Sequence, residues 1–227
     1  MRSLPFPKLT RTAENMIPLL TAHFESRAAR SRFVAKKFSR YFQESLLDVG
    51  CYEAPLRHLL KNARYTGIDV AGTPDIHVNL DAVSRLPFED GQFSTVICIE
   101  VLEHLDNLHR IFDELIRVSG RYVIVSLPNC WRDARRPMER GKGEFAHYGL
   151  PLEKPLDRHK WFFSLSQAQA FLLGMALKYH LTVIDLFATE QQRPALLKWL
   201  RHLRYPNEAY LNRYAQTLWI VLSKETS

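Results

Sequence analysis

The strongest constraint on this chain is a rhythm. From about residue 45 onward, short and almost wholly apolar runs alternate with amphipathic stretches of helical period. Residues 45–50 (SLLDVG), 65–70 (YTGIDV), 94–100 (STVICIE) and 121–126 (RYVIVS) each read as a strand without a polar face, and 76–79 (IHVN) as a shorter one. A strand apolar on both sides is covered on both sides, which is the habit of a parallel sheet crossed over by helices. The intervening segments supply those helices. Pro55 suits a first helical turn that carries Leu56, Leu59 and Leu60 inward. Asp106 is placed to cap a helix with Leu108, Ile111, Phe112, Leu115 and Ile116 on one face, ended by Gly120. Ser164 and Gln167 have capping-box spacing ahead of Ala168, Phe171, Leu172, Met175 and Ala176. Two last strands, 181–187 and 217–223, are joined through a helical insertion at 190–216 and suit an antiparallel hairpin at a sheet edge. With right-handed crossovers, the expected architecture is an α/β doubly wound sheet, mostly parallel, flanked by helices.

The chain divides on this pattern into an N-terminal helical extension (1–42) and a main domain (43–227). Residues 12–42 read as helix, with Val34, Phe38, Tyr41 and Phe42 on one face. Residues 129–163 are too long and irregular for a simple connection and read as a lid-like insertion. No run is apolar enough for a bilayer span, and the first residues lack a secretory pattern, so a cytoplasmic location is expected. The cysteines Cys51, Cys98 and Cys130 have neither disulfide nor zinc-ligand spacing.

Four motifs occur in register: LLDVGC (46–51), YTGID (65–69), LPFEDGQF (86–93) and VICIEVLEH (96–104). In order and spacing they resemble the class I S-adenosylmethionine (SAM)-dependent methyltransferase superfamily, over about residues 45–130 plus the final strand pair. The resemblance implies a Rossmann-like fold, SAM as cofactor, and a cofactor site of Asp48, Gly50, Cys51, Asp69, Val70, Leu80, Asp81, Ile99 and Glu100. The chemistry fits these types. A glycine lets the chain turn sharply beside the ligand, and an acid about twenty residues on can accept from both ribose hydroxyls. Asp81 matches the position that faces the adenine amino group. The sequence departs from the family where glycines are expected, with Tyr52 and Ala54 in their places. An NAD-dependent oxidoreductase fits the glycine pattern less well and leaves the EVLEH segment without a role. A methyltransferase-fold partner protein that binds another enzyme without catalysis is the competing reading, kept open by Tyr52.

A methyl acceptor is expected at the C-terminal ends of the strands, under the 129–163 segment. His104 and His159 are the candidate catalytic residues, and His147, Tyr148, Arg158 and Trp161 the candidate acceptor-binding ones. No metal is expected, because Asp157 alone does not make a set of converging carboxylates. The SLPN segment with Trp131 and Arg132, and the insert after it, is similar to MetW-like proteins and to proteins of bacterial polysaccharide gene clusters. That likeness implies a sugar hydroxyl or another glycan-intermediate group, and the activity expected is methyl transfer to oxygen or nitrogen of a polar small-molecule acceptor, glycan-derived or anionic.

The net charge of +7 is concentrated outside the strands. The arginine-rich stretch at 27–40 serves either as a solvated helix face or as a phosphate contact; no RNA-binding module accompanies it, so nucleic acid is disfavoured. Leu196, Trp199, Leu200 and Leu203 form an apolar face flanked by basic residues. A weak association with an anionic membrane surface, a cap on the domain and a dimer contact explain that face equally well. The oligomeric state cannot be read from the sequence.

Overall fold

The computed structural model describes residues 17–224 except 62, 146, 154 and 156. Its strands are β1 (Leu19–Thr21), β2 (Ser45–Val49), β3 (Arg64–Asp69), β4 (Ile76–His77), β5 (Phe93–Ile99), β6 (Ser119–Pro128), β7 (Thr182–Glu190) and β8 (Ala215–Ser223). They form one sheet in the order β1-β7-β8-β6-β5-β2-β3-β4. All neighbours are parallel except β8, which runs antiparallel to both β6 and β7. This is the Rossmann-like, doubly wound arrangement with an antiparallel C-terminal hairpin. The order reverses beside β2, where β3 lies on one side and β5 on the other, and such a switch opens a crevice at the strands' C-terminal ends.

Alternation along the strands fills two layers. Val96 and Cys98 of β5, Val123 and Val125 of β6, and Leu218 and Ile220 of β8 pack on one face with α2 (Leu108–Val118) and α4 (Leu165–Lys178). Ile97, Ile124, Trp219 and Val221 point the other way, onto Val34 of α1 (Arg27–Lys37) and Phe38, which follows it. Trp219 is fully buried and lies among Phe33, Phe38 and Phe187. Among the described residues no helix is long and apolar enough to cross a membrane.

The strands fall close to where their apolar runs put them, and Ser164 caps α4 with the full capping box. Elsewhere the structure corrects the reading. The expected helix over 12–42 is β1, then α1, then a 3₁₀ turn at Ser39–Tyr41; residues 12–16 lie outside the described set. Pro18 is bonded through its carbonyl to Ala188 N, which seats β1 beside β7 and makes β1, not the hairpin, the outer strand. After Pro55 only a 3₁₀ turn (Arg57–Leu59) forms, and Leu59 is exposed. Asp106 does not cap α2. Asn107 takes that position, while the Asp106 amide donates to Asp81. Gly120 lies inside β6, because α2 stops at Val118. The 129–163 segment opens with α3 (Cys130–Arg140), capped by the Asn129 side chain, which accepts from Arg132 N. The insertion before β8 is two helices, α5 (Ala195–Arg204) and α6 (Glu208–Tyr214), and Leu196, Trp199, Leu200 and Leu203 of α5 are exposed.

Candidate functional site

Gly50 ends β2 with φ +81°, and a Cβ there would stand 2.2 Å from Val101 Cγ2. Both the dihedral and the crowding require glycine. Tyr52 and Ala54, which stand where the family has glycine, nonetheless adopt left-handed backbone, with φ of 50° and 49°. A Cβ in that region costs about 1–2 kcal/mol per residue. Asp69 at the end of β3 clamps the turn: Tyr52 N donates to its Oδ2 (2.8 Å) and Ala71 N to its Oδ1 (3.1 Å). Each carboxylate oxygen therefore keeps an acceptor position free. Tyr52 and Val70 are exposed on either side of it.

Asp48, Gly50, Cys51 and Ile99 line a cavity of only about 40 Å³, which Arg27 and Arg30 of α1 also wall. Tyr65 donates to Asp48 across 2.7 Å, yet burial pushes that carboxyl up to about 6. Burial likewise raises the Cys51 thiol to about 12, so it is inert at neutral pH. Leu80 is buried, and Asp81 is held by Lys160 Nζ (2.5 Å) and by Asp106 N (2.9 Å). Lys160 belongs to the insertion, so this ion pair also ties the insertion to the end of β4's loop.

A second cavity, of about 510 Å³, opens where β5 and β6 end. It shares Arg27 and Arg30 with the first. Arg30 forms an ion pair with Glu100, which has φ 52° and also accepts from Thr217 Oγ1 at 2.8 Å. The Arg27 guanidinium sits 4.8 Å over the Tyr52 ring. These two arginines, read from sequence as one face of a basic helix, therefore stand between the cavities.

Three histidines meet on the wall of the second cavity. His104 follows β5, whereas His147 and His159 come from the insertion. Their rings meet with centroids 4.6 Å apart for His104 and His159, and 4.5 Å apart and stacked for His147 and His159. Asp157 lies 2.8 Å from His104 Nδ1 and 3.4 Å from His147 Nδ1. Tyr148 donates to the Trp161 carbonyl (3.0 Å) and faces His159 Nδ1 (3.1 Å). Burial, followed by the neighbouring imidazoles, drives His159 down to about 3. Burial lowers His104 as well, against the pull of Asp157. Both rings are neutral at pH 7. Glu103, beside His104, is 1% exposed with Oε2 lacking a partner among the described residues, and burial holds its carboxyl well above the usual range.

The structure thus gathers His104, His147, Tyr148 and His159 in one cavity and adds Arg27 and Arg30 of the arginine-rich stretch and Glu103, which lies inside the VICIEVLEH motif without a role assigned to it. Trp161 and Arg158 lie outside its wall. Trp161 donates to the Leu105 carbonyl at 2.7 Å, and Arg158 is exposed with its own carbonyl 3.3 Å from His104 Nδ1. Both act on the cavity by anchoring the insertion.

Comparison with known proteins gives a consistent result. A methyltransferase-domain family matches residues 24–216. A SAM-dependent methyltransferase of Archaeoglobus fulgidus superposes with TM-score 0.54 at 15% identity, over 88% of this chain and 95% of that one. One from Methanosarcina mazei does so with TM-score 0.53 at 18% identity, over 84% and 98%. At these identities the likeness establishes the fold. No curated protein matches the sequence.

Proposed function

The chain belongs to the methyltransferase-domain family matched over residues 24–216, and on that premise we propose that it moves a methyl group from SAM to an oxygen or nitrogen of a polar acceptor, anionic or glycan-derived. When bound, SAM supplies a methyl on a positive sulfonium, already activated for in-line attack. The observation that carries the reading is the pair of adjoining cavities at the switch point, one at the glycine turn and one under the insertion. The residues present fit an adenosine: Asp69 would offer its two free acceptor positions to the ribose hydroxyls, Val70 and Leu80 would hold the base, and Asp81 would accept from its amino group. At the other end Arg27 and Arg30 fit the amino-acid carboxylate. They must turn to receive it, since the cavity they wall is about 40 Å³.

The protein's share of the chemistry is then alignment and exclusion of water. Arg132, on the wall of the larger cavity and paired there with Asp133, would leave that partner to meet an anionic acceptor. Neutral His104 and His159 accept hydrogen bonds from its nucleophilic group. His159, held down to about 3, retains a proton poorly, which leaves His104 as the better base.

Calorimetric titration with SAM and S-adenosylhomocysteine tests this reading. Micromolar binding by the wild type, weakened about tenfold or more in Asp69→Asn, is the expected result. It would be followed by a radiolabelled acceptor screen starting from nucleotide sugars and glycans. No binding at millimolar ligand would overturn the reading and favour a methyltransferase fold that serves another enzyme as a binding partner.

A further inference from the structure

The three histidines do more than line a pocket. One ring nitrogen of each of His104, His147 and His159 lies within 4.8 Å of the corresponding atoms of the other two. We infer that this cluster is a binding site for one divalent transition-metal ion, with His104, His147 and His159 as its protein ligands.

The hydrogen bonding prepares the rings for that task. His104 Nδ1 faces only acceptors, the Asp157 carboxylate and the Arg158 carbonyl. His147 Nδ1 faces the other oxygen of Asp157. The Tyr148 proton is spent on the Trp161 carbonyl, so its oxygen accepts from His159 Nδ1. Placing the N–H of each ring at Nδ1 suits these neighbours and leaves Nε2 with its lone pair for the ion. A carboxylate or hydroxyl behind each imidazole is the arrangement that orients histidine ligands and raises their basicity.

Glu103 gives an independent pointer. Its carboxyl is buried against the same cavity, one oxygen 3.7 Å from His104 Nε2 and the other without a partner among the described residues. An unpartnered carboxyl in such a place is costly, and a cation nearby relieves it. Three imidazoles favour zinc, cobalt or nickel over magnesium or calcium, which take oxygen ligands. Three protein ligands also leave a coordination position open toward the cavity. The ion would pin the insertion to the end of β5 and, in place of an imidazole, face an acceptor oxygen.

Chelator-treated protein titrated with Co²⁺, followed by visible absorption and calorimetry, tests the site without any methyl donor or acceptor. The expected result is saturation at about one Co²⁺ per chain, with a d–d spectrum of low coordination number. His147→Ala and His159→Ala should each abolish saturation, Asp157→Asn should weaken it about 10–100-fold, and exposed His58→Ala should leave it unchanged. Near-ultraviolet circular dichroism establishes that each variant is folded. Absence of saturable Co²⁺ binding by the wild type, or binding that survives both histidine substitutions in folded protein, would overturn the inference. Either result stands apart from the SAM titration, which reads Asp69 and the other cavity.

Discussion

The turn after β2 and the histidine cavity share the walls Arg27 and Arg30, yet they are assembled in opposite ways. The turn is made by neighbours in sequence, fixed by strand ends and held by one carboxylate 17 residues on. Its shape is stored in backbone dihedrals, which is why Tyr52 and Ala54 keep a glycine's conformation without being glycine. The histidine cavity draws its side chains from β5's end and from an insertion, and stores its shape in side-chain hydrogen bonds. The first design resists substitution of side chains and fails on backbone changes. The second should behave the other way round.

Three experiments press on that contrast, in descending order of effect. Gly50→Ala combines a left-handed residue with a Cβ 2.2 Å from Val101. It should lower the urea-unfolding free energy by about 3 kcal/mol or more, and adding Val101→Ala should recover the crowding part but not the dihedral part. Full recovery would mean that backbone strain does not define the turn.

Asp48→Asn probes the burial behind the same turn. Burial raises the Asp48 carboxyl from its ordinary 3.8 to about 6, so between those pH values the native state holds a proton that the unfolded state has lost. Wild-type stability should thus fall as pH rises from 4 to 6, with the full penalty present above 6. The asparagine variant should match wild type below pH 4 and exceed it above pH 6 by up to about 3 kcal/mol. A constant difference across that range would remove burial of the charge as the cause.

Tyr148→Phe acts on the other region and should be felt locally. It removes one donor to the Trp161 carbonyl and the acceptor for His159, about 1 kcal/mol. Hydrogen exchange of amides in 145–163 should quicken while the global unfolding midpoint stays put. An equal loss in both would show that the insertion belongs to the core.

This division also explains what the sequence disclosed. Strands such as Phe93–Ile99, buried on both faces, announce themselves as apolar runs, and the motifs at 46–51 and 65–69 carry their register with them. β1 did not, because three residues beside Pro18 make no periodic signal and are strand only through β7. α3 was hidden by Pro137 and by its run of arginines, though Asn129 at its start was a readable cap. The histidines were recognisable by type, but their convergence is a tertiary fact: residues 104, 147 and 159 meet only once the insertion folds back. For Arg27 and Arg30 a solvated face and a phosphate contact stayed open alike, since nothing in a helical period says which polar residues face a cavity. Glu103 sat inside a known motif, and only burial reveals that it lacks a partner among the described residues.

The slim strand β1 has a consequence far from any chemistry. Among the described residues it pairs with Ala188, Thr189 and Glu190 of the nine-residue β7, and Val183 and Ile184 of the same strand, at the border of the sheet, are partly in solvent. A rim of that kind invites a second copy to add its own strand and begin a fibril. Here the register slips between Val183 and Asp185, which bends the rim, and Asp185 is paired with Lys37 across 3.0 Å, so an incoming strand meets charge. A bulge, a carboxylate and a three-residue strand therefore stand at this border against edge-to-edge pairing.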